Sequence, residues 1–267
     1  MSRIGTQVAL TVAGFDPTGG AGVTADLKVF AAHGIFGISC VSGLTVQSTV
    51  GVKRVEAVGA ATLGEMLECV CGDIAPGGIK IGMLGTAENV KVVARFVSGW
   101  KGRVPVVLDP VLRSSSGREL LSGEGVEAMK GELLPVVDWV TPNVEELRVL
   151  TGLGCEGRAG VEGAAVALQR MGVGNVVVTG GDSATPDDFV LLEAGGRLWV
   201  TGTRVETTST HGTGCAFSSA LLCEVMLGSS AMDAVGGAKR YVVGGLRNAP
   251  GLGSGRGPLD LFWGFRR

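Results

Sequence analysis

The sequence has 267 residues, of which 45% are hydrophobic and 18% charged, with a mean hydropathy of +0.38. This composition predicts a globular chain with a sizeable core and excludes a disordered one. A net charge of −2 without any basic run argues against a nucleic-acid partner, and no apolar run reaches the ~20 residues that span a membrane. Six cysteines without a signal-peptide pattern predict reduced thiols and a cytoplasmic protein.

Short apolar runs alternate along the chain with segments of helical period. The predicted strands are 8–13, 38–46, 78–83, 104–108, 136–141 and 175–179, followed by a hairpin of 189–193 with 197–200. Predicted helices lie near 23–33, 62–70, 90–97, 126–133, 145–150, 161–171, 216–225 and 234–246, with Thr62 and Glu65 as a capping box. The alternation predicts one α/β domain over 1–267, with a mostly parallel central sheet covered by helices on both faces and a small β-hairpin.

The first predicted strand ends in a glycine-rich loop that runs from Gly14 to Gly22. Gly14 and Gly19 have the spacing of a phosphate-binding P-loop, but Gly20 and Ala21 stand where that motif requires Lys and Ser or Thr. The loop therefore belongs to another kind of site.

Polar residues follow several of the predicted strands. Ligands of parallel sheets bind at the carboxyl ends of the strands, where Asp109, Asn143 and Glu146 offer the oxygen ligands that Mg²⁺ prefers. The alternative is structural: Asp109 in a turn, and Asn143 with Glu146 as a helix cap. Their shared position favours transfer of a phosphoryl group from a Mg²⁺–nucleotide, which depends on positioning and charge neutralisation.

A glycine turn precedes the helix predicted near 216–225. Gly212, Thr213, Gly214 and Cys215 occupy this turn, where unpaired N–H groups and the helix dipole suit an anion. The same position predicts that the thiolate form of Cys215 is favoured. The alternative is a helix with a flexible entry and a small buried cysteine.

The chain resembles the ribokinase-like kinases, in the vitamin-kinase branch that includes the hydroxymethylpyrimidine/phosphomethylpyrimidine kinases of thiamine synthesis. The resemblance rests on segments that occur in family order over nearly the whole chain, namely 13–28, 47–52, 80–84, 109–111, 141–146 and 210–215. It implies a ribokinase-like fold, ATP and Mg²⁺ as cofactors, and a small-molecule acceptor, an aminopyrimidine alcohol and then its monophosphate. It also implies a homo-oligomer, expected to be a dimer.

The resemblance also implies roles for individual residues. The pyrimidine pocket would be lined by Gly14, Asp16, Ala21, Asp26, Gln47 and Met83. The catalytic anion hole would consist of Gly212, Thr213, Gly214 and Cys215, with Cys215 at the base position. Asp109 and Glu146 would organise the metal, and Asn143, Thr179 and Thr213 would contact the nucleotide.

Some positions depart from the family pattern. Lysines that the family usually has near Thr179 and near Ser115 are absent, and Arg113 is a candidate replacement for one of them. Three alternatives to this kinase remain open. They are a pyridoxal or dual-specificity kinase of the same fold, a non-catalytic ligand-binding relative, and a Cys215 hydrolase that uses His211 or His33.

Overall fold

A nine-stranded mixed sheet forms the centre of the computed structural model, which describes residues 6–114, 116–181 and 185–265. The strands are β1 Val8–Phe15, β2 Phe36–Ser48, β3 Gly51–Ala57, β4 Gly78–Ile81, β5 Val106–Leu108, β6 Trp139–Val140, β7 Asn175–Val178, β8 Asp188–Leu191 and β9 Arg197–Val200. Their order across the sheet is β3-β2-β1-β4-β5-β6-β7-β8-β9. The pairings from β2 through β7 are parallel, and β3, β8 and β9 add antiparallel edges.

Helices cover both faces of this sheet. They are α1 Gly22–Ala32, α2 Ala60–Asp73, α3 Ala87–Ser98, α4 Gly123–Ala128, α5 Val144–Thr151, α6 Gly157–Gln169, α7 Thr213–Met226 and α8 Ala231–Arg247. One core lies under α2, α3, α5 and α6, and the other lies under α1, α7 and α8. The chain therefore folds as the three-layer α/β sandwich expected of the ribokinase-like fold.

The two faces of each central strand serve different cores because side chains alternate along a strand. On β4, Ile79 and Ile81 belong to the core under α2 and α3. Lys80, between them, faces the other way and contacts Asp26 of α1. A charged side chain thus enters the middle of the sheet, where apolar residues prevail.

The chain reverses its direction of travel across the sheet between β1 and β4. It first runs from β1 to β2 and β3, and then returns to the other side of β1. Loops on the two sides of such a switch point diverge and leave a crevice at the carboxyl ends of the strands. This crevice is where the functional residues were expected.

Two local predictions were wrong or incomplete. The helix α2 begins at Ala60 with Gly59 as its N-cap and without a side-chain cap, so Thr62 lies inside the helix and forms no capping box. Ala60 and Ala61 have high helix propensity, so the helix begins two residues before Thr62. The edge strand β3 was not predicted, because Lys53, Arg54 and Glu56 face solvent and leave no clear apolar alternation.

The hairpin β8–β9 is antiparallel, as predicted. The segment predicted as one helix at 126–133 is a short α4 followed by a π-helical turn, Met129–Leu133. In the described ranges, no helix combines the length and the apolar character needed to cross a bilayer.

Candidate active site

A cleft of roughly 1600 Å³ opens at the carboxyl ends of the parallel strands. Pockets for one drug-sized ligand measure about 300–1,000 Å³, so this cleft has room for two ligands side by side. It is lined by all but one of the residues proposed from the sequence: Gly14, Asp16, Ala21, Gln47, Met83, Asp109, Asn143, Glu146, Thr179, Gly212, Thr213, Gly214 and Cys215. The exception is Asp26.

The turn into α7 forms the floor of the cleft. Gly212 is the N-cap in the left-handed conformation, with φ of 83°, and a Cβ there would overlap the carbonyl oxygen of Gly20. The first amide to find an intrahelical acceptor is that of Ala216, which donates to the Gly212 carbonyl at 2.9 Å. The preceding amides, from Thr213 to Cys215, lie at the positive end of the helix, an arrangement suited to a phosphate group.

Cys215 lies in the first turn of this helix, but its thiolate is not favoured. Burial raises the pKa of the Cys215 thiol to about 12; the Lys80 ammonium opposes this rise, while the Asp109 and Asp26 carboxylates add to it. The sequence-based expectation of a stabilised thiolate was therefore wrong, because desolvation and two carboxylates outweigh the helix terminus. The group presented to the cleft at neutral pH is the thiol.

Asp109 follows β5 and lies beside the α7 turn, with Oδ1 3.7 Å from the position that a Cβ on Gly214 would occupy. Its Oδ2 is buried, 4.0 Å from Lys80 Nζ, and accepts no hydrogen bond from the described residues. Burial raises the pKa of Asp109, and Lys80 counteracts that rise. A buried carboxylate oxygen without a hydrogen bond fits a cation partner.

No group of three or more metal-binding side chains occurs among the described residues. The carboxylates of Asp109 and Glu146 nevertheless fit Mg²⁺, which commonly uses one or two carboxylates and completes its shell with water and substrate phosphates. They do not fit a metal ion enclosed by protein ligands.

Asn143, Glu146 and Thr179 meet where β6 and β7 end. The Asn143 side chain accepts from Glu146 N at 2.8 Å, and Glu146 Oε2 accepts from Asn143 N at 2.9 Å, which completes a capping box on α5. Thr179 N donates to the Pro142 carbonyl. The structural alternative for Asn143 and Glu146 is thus realised, and both residues also line the cleft.

A buried charge cluster lies beneath the cleft, formed by Thr11, Asp26, Lys80 and Ser219. Lys80 Nζ donates to both carboxylate oxygens of Asp26 at 3.0 Å, and the hydroxyls of Thr11 and Ser219 donate to the same carboxylate at 2.6 and 2.8 Å. Asp26 is fully buried and does not line the cleft, so its expected place in the pyrimidine pocket was wrong. All its acceptor positions are used inside the protein.

Lys80 had no role in the sequence analysis. Its side chain is fully buried and lies between the Asp26 and Asp109 carboxylates. A lysine flanked by isoleucines in a buried strand is a signal that could have identified it, because such a charge needs an internal partner.

A second group, here the pocket cluster, consists of Asp16, Gln47 and His211 at the other end of the cleft. His211 Nε2 lies 2.7 Å from Asp16 Oδ2 and 3.3 Å from Gln47 Nε2. Burial raises the pKa of Asp16, but hydrogen bonds from His211 and Thr18 outweigh it and lower that pKa to about 2. His211 thus engages the pocket cluster, and His33 packs its ring 4.8 Å from that of Tyr241.

Cationic side chains also face the cleft. Lys239 donates to Asp188 Oδ2 and to the Pro186 carbonyl, so its charge is already compensated. Arg113 lies in the loop after β5, with its backbone paired to Glu119. Ser115, near which a lysine was expected by resemblance, lies outside the described residues.

Comparison with known proteins identifies the family that the chain matches. A family model described as phosphomethylpyrimidine kinase matches residues 16–260. A hydroxymethylpyrimidine/phosphomethylpyrimidine kinase of Haemophilus influenzae is 38% identical over 97% of both chains. A thiamine biosynthesis multifunctional protein of Corynebacterium efficiens is 42% identical over 99% of this chain and 36% of its own length. The pyridoxal kinase of Staphylococcus aureus in complex with ADP superposes with a TM-score of 0.88 and 28% identity, over 98% and 95% of the two chains.

Proposed function

Because this chain belongs to the phosphomethylpyrimidine kinase family, we infer that it transfers the γ-phosphoryl group of ATP to 4-amino-5-hydroxymethyl-2-methylpyrimidine and then to its monophosphate, in thiamine biosynthesis. The observation that carries this inference is the cleft itself. A helix N-terminus suited to phosphate and the Asp109 carboxylate meet on its floor, and a hydrogen-bonding pocket cluster lies at one end.

The nucleotide occupies the end of the cleft formed by β6 and β7, where Asn143 and Thr179 contact it. Its γ-phosphate points to the α7 turn, and the N–H groups of Thr213, Gly214 and Cys215 stabilise the charge on the transferring group. Asp109 and Glu146 would hold Mg²⁺, partly through water, and the ion would neutralise phosphate charge. The buried, unbonded Oδ2 of Asp109 supports that assignment.

The acceptor binds at the other end, against Gly14, Ala21 and Met83, and Gln47 recognises its polar edge. The Cys215 thiol orients the acceptor hydroxyl toward the phosphoryl group. A thiol with a pKa near 12 is a weak base at neutral pH, so positioning and charge stabilisation account for most of the rate. In the second step the acceptor is an ionised phosphate, which needs no base.

The protein acts as a homodimer in this proposal. The hydrophobic side chains of Leu44, Val46 and Val50 on and beside β2 are 50%, 47% and 71% exposed. An exposed apolar group on an edge region of a sheet is typical of a protein interface. Size-exclusion chromatography with light scattering, on the wild type and a Leu44→Lys/Val46→Lys variant, tests it; a monomeric wild type contradicts it.

A coupled assay of ADP release with the pyrimidine alcohol, its monophosphate and pyridoxal tests the function. We expect kcat/KM for both pyrimidines to exceed that for pyridoxal. The close superposition on a pyridoxal kinase makes pyridoxal phosphorylation the second candidate. ADP release with pyridoxal alone would establish that candidate, and no substrate-dependent release would indicate a ligand-binding relative.

A further inference from the structure

In the pocket cluster, the contact between Asp16 and His211 determines which of the two carries the proton. Asp16 is 3% exposed, and its carboxylate accepts from Thr18 N and Thr18 Oγ1, both at 2.8 Å, and from Ala21 N at 2.9 Å. A carboxylate surrounded by donors acts as an acceptor. The fourth partner, His211 Nε2 at 2.7 Å, must therefore be a donor and carry a proton. This holds for the neutral Nε2–H tautomer and for the imidazolium alike.

The orientation of the Gln47 amide follows from that proton. Gln47 Nε2 lies 3.3 Å from His211 Nε2, so two N–H groups face one another. Two donors cannot bond each other, and a protonated ring nitrogen has no lone pair for a third group. A rotation of the amide by about 180° around its last side-chain bond places Oε1 at this contact and gives an N–H···O hydrogen bond.

The position of the His211 ring beside the Gln47 amide is fixed by its surroundings. His211 N donates to the Gly257 carbonyl at 3.0 Å, and a Cβ on Gly20 would lie 2.7 Å from His211 Cδ2. The backbone and the close packing against Gly20 thus fix the ring relative to Gln47.

We propose that Asp16 and His211 are positioning residues that hold the Gln47 oxygen toward His211 and the Gln47 amino group toward the pocket, and so select an aminopyrimidine over a pyridine ring. Gln47 then offers the ligand an N–H donor and one remaining lone pair on Oε1. A ring nitrogen next to an exocyclic amine complements that pair, whereas a pyridine without the amine leaves the lone pair unmatched. This inference rests on the proposed function.

Titration calorimetry with the pyrimidine alcohol and with pyridoxal, alongside the ADP assay, tests the proposal. Gln47→Glu keeps an acceptor for His211 but removes the N–H donor. We expect it to weaken pyrimidine binding at least tenfold at pH 8, with the KM for ATP within twofold of wild type. Wild-type affinity in Gln47→Glu would show that oxygen already faces the pocket, and would overturn the proposal.

Histidine variants separate positioning from structural support. His211→Leu should raise the Kd for the pyrimidine at least tenfold, leave kcat within about threefold, and reduce the preference over pyridoxal by the same factor. His211→Gln, which can place an amide N–H near the position of Nε2, should recover most of the affinity. An unchanged preference in His211→Leu, or no recovery in a folded His211→Gln, would contradict the proposal.

NMR of the ligand-free protein tests the premise that His211 Nε2 carries a proton. The chain has two histidines, so a His33→Gln background leaves His211 as the sole source of histidine signals in ¹⁵N spectra. We expect a protonated Nε2; an unprotonated Nε2 would overturn the proposal even if the kinase activity is found. Tight pyrimidine binding without ADP release would instead refute the proposed function and leave the positioning roles intact.

Discussion

The buried charge cluster and the pocket cluster contain similar groups but differ in how completely they are satisfied. Asp26 accepts from Lys80, Thr11 and Ser219 and has no contact with the cleft. In the pocket cluster, Asp16 is equally well bonded, but Gln47 lines the cleft and retains hydrogen-bonding capacity. Fully used polar groups fix the structure, whereas groups with remaining capacity can recognise a ligand. Burial and hydrogen bonding together distinguish the two functions.

Lys80→Met provides the strongest test of the buried cluster. The change leaves the Asp26 carboxylate buried beside Asp109 without a counter-charge, and breaking a buried ion pair costs about 3–5 kcal/mol. We expect a loss of that size in the free energy of unfolding, measured by urea denaturation at pH 7.

The matched control is Lys80→Met/Asp26→Asn, which removes both charges. It should lose less stability than the single variant, since no uncompensated charge remains. A single variant that loses under about 1 kcal/mol would mean that the buried cluster does not hold the fold.

The pocket cluster should contribute less, and in a way that depends on pH. The pKa of Asp16 is lowered from 3.8 to about 2 in the folded protein, so its contribution is complete above pH 4 and is lost as the pH falls through 2. After allowance for solvent screening, we expect about 1–2 kcal/mol. Asp16→Asn should be less stable than wild type at pH 6 by that amount, and the difference should shrink toward pH 2. A difference that is constant across this range would exclude the carboxylate as its source.

The fold was predictable to a large extent, because apolar strands and amphipathic helices have strong periods. The strand β3 escaped prediction since Lys53, Arg54 and Glu56 interrupt its apolar pattern. The edge position of β3 explains that composition, and only the three-dimensional sheet shows that it is an edge.

The site was predictable in position but not in chemistry. The motifs brought Asp109, Cys215 and Gln47 to one cleft. The error for Asp26 and the error for the Cys215 thiolate have the same origin, because both come from burial next to charged groups that are distant in sequence: Lys80 binds Asp26, and the Asp109 and Asp26 carboxylates raise the pKa of Cys215. Lys80 is 54 positions from Asp26, and no local pattern reports that contact.

Cys215 lines the cleft close to the charges of Lys80, Asp109 and Asp26, and its substitution shows whether it acts as a base. Because the pKa of the Cys215 thiol is about 12 and its proposed role is to orient the acceptor, we expect Cys215→Ala to lower kcat about tenfold and to leave pyrimidine affinity nearly unchanged. Removal of a general base typically costs roughly 10²–10⁴-fold. Single-turnover kinetics and titration of the pyrimidine measure the two effects. A loss above about 10²-fold would assign the base role to Cys215, and unchanged turnover would remove it from the reaction.

Arg113 should show the smallest effect, because a cation in an open cleft is screened by solvent while Lys80 is not. Arg113 lines the cleft in the loop after β5, where it is a candidate to compensate for the lysine absent near Thr179. We expect Arg113→Gln to raise the KM for ATP or for the monophosphate acceptor about three- to fivefold, an effect below about 1 kcal/mol that weakens further in high salt.

Arg118→Gln is the matched control for that substitution. Arg118 lies in the same loop, but its guanidinium donates to the Lys53 carbonyl at 2.9 Å, and neither residue lines the cleft. Its loss should leave both KM values unchanged, and Arg113→Lys should retain most of the wild-type affinity. If only the KM for the monophosphate changes, Arg113 serves the acceptor phosphate; if only that for ATP changes, it replaces the missing nucleotide contact. Equal effects of Arg113→Gln and Arg118→Gln would show that the overall positive charge of the loop, and not a specific contact of Arg113, causes them. The contrast between buried and solvent-exposed cations would then be supported by Lys80 alone.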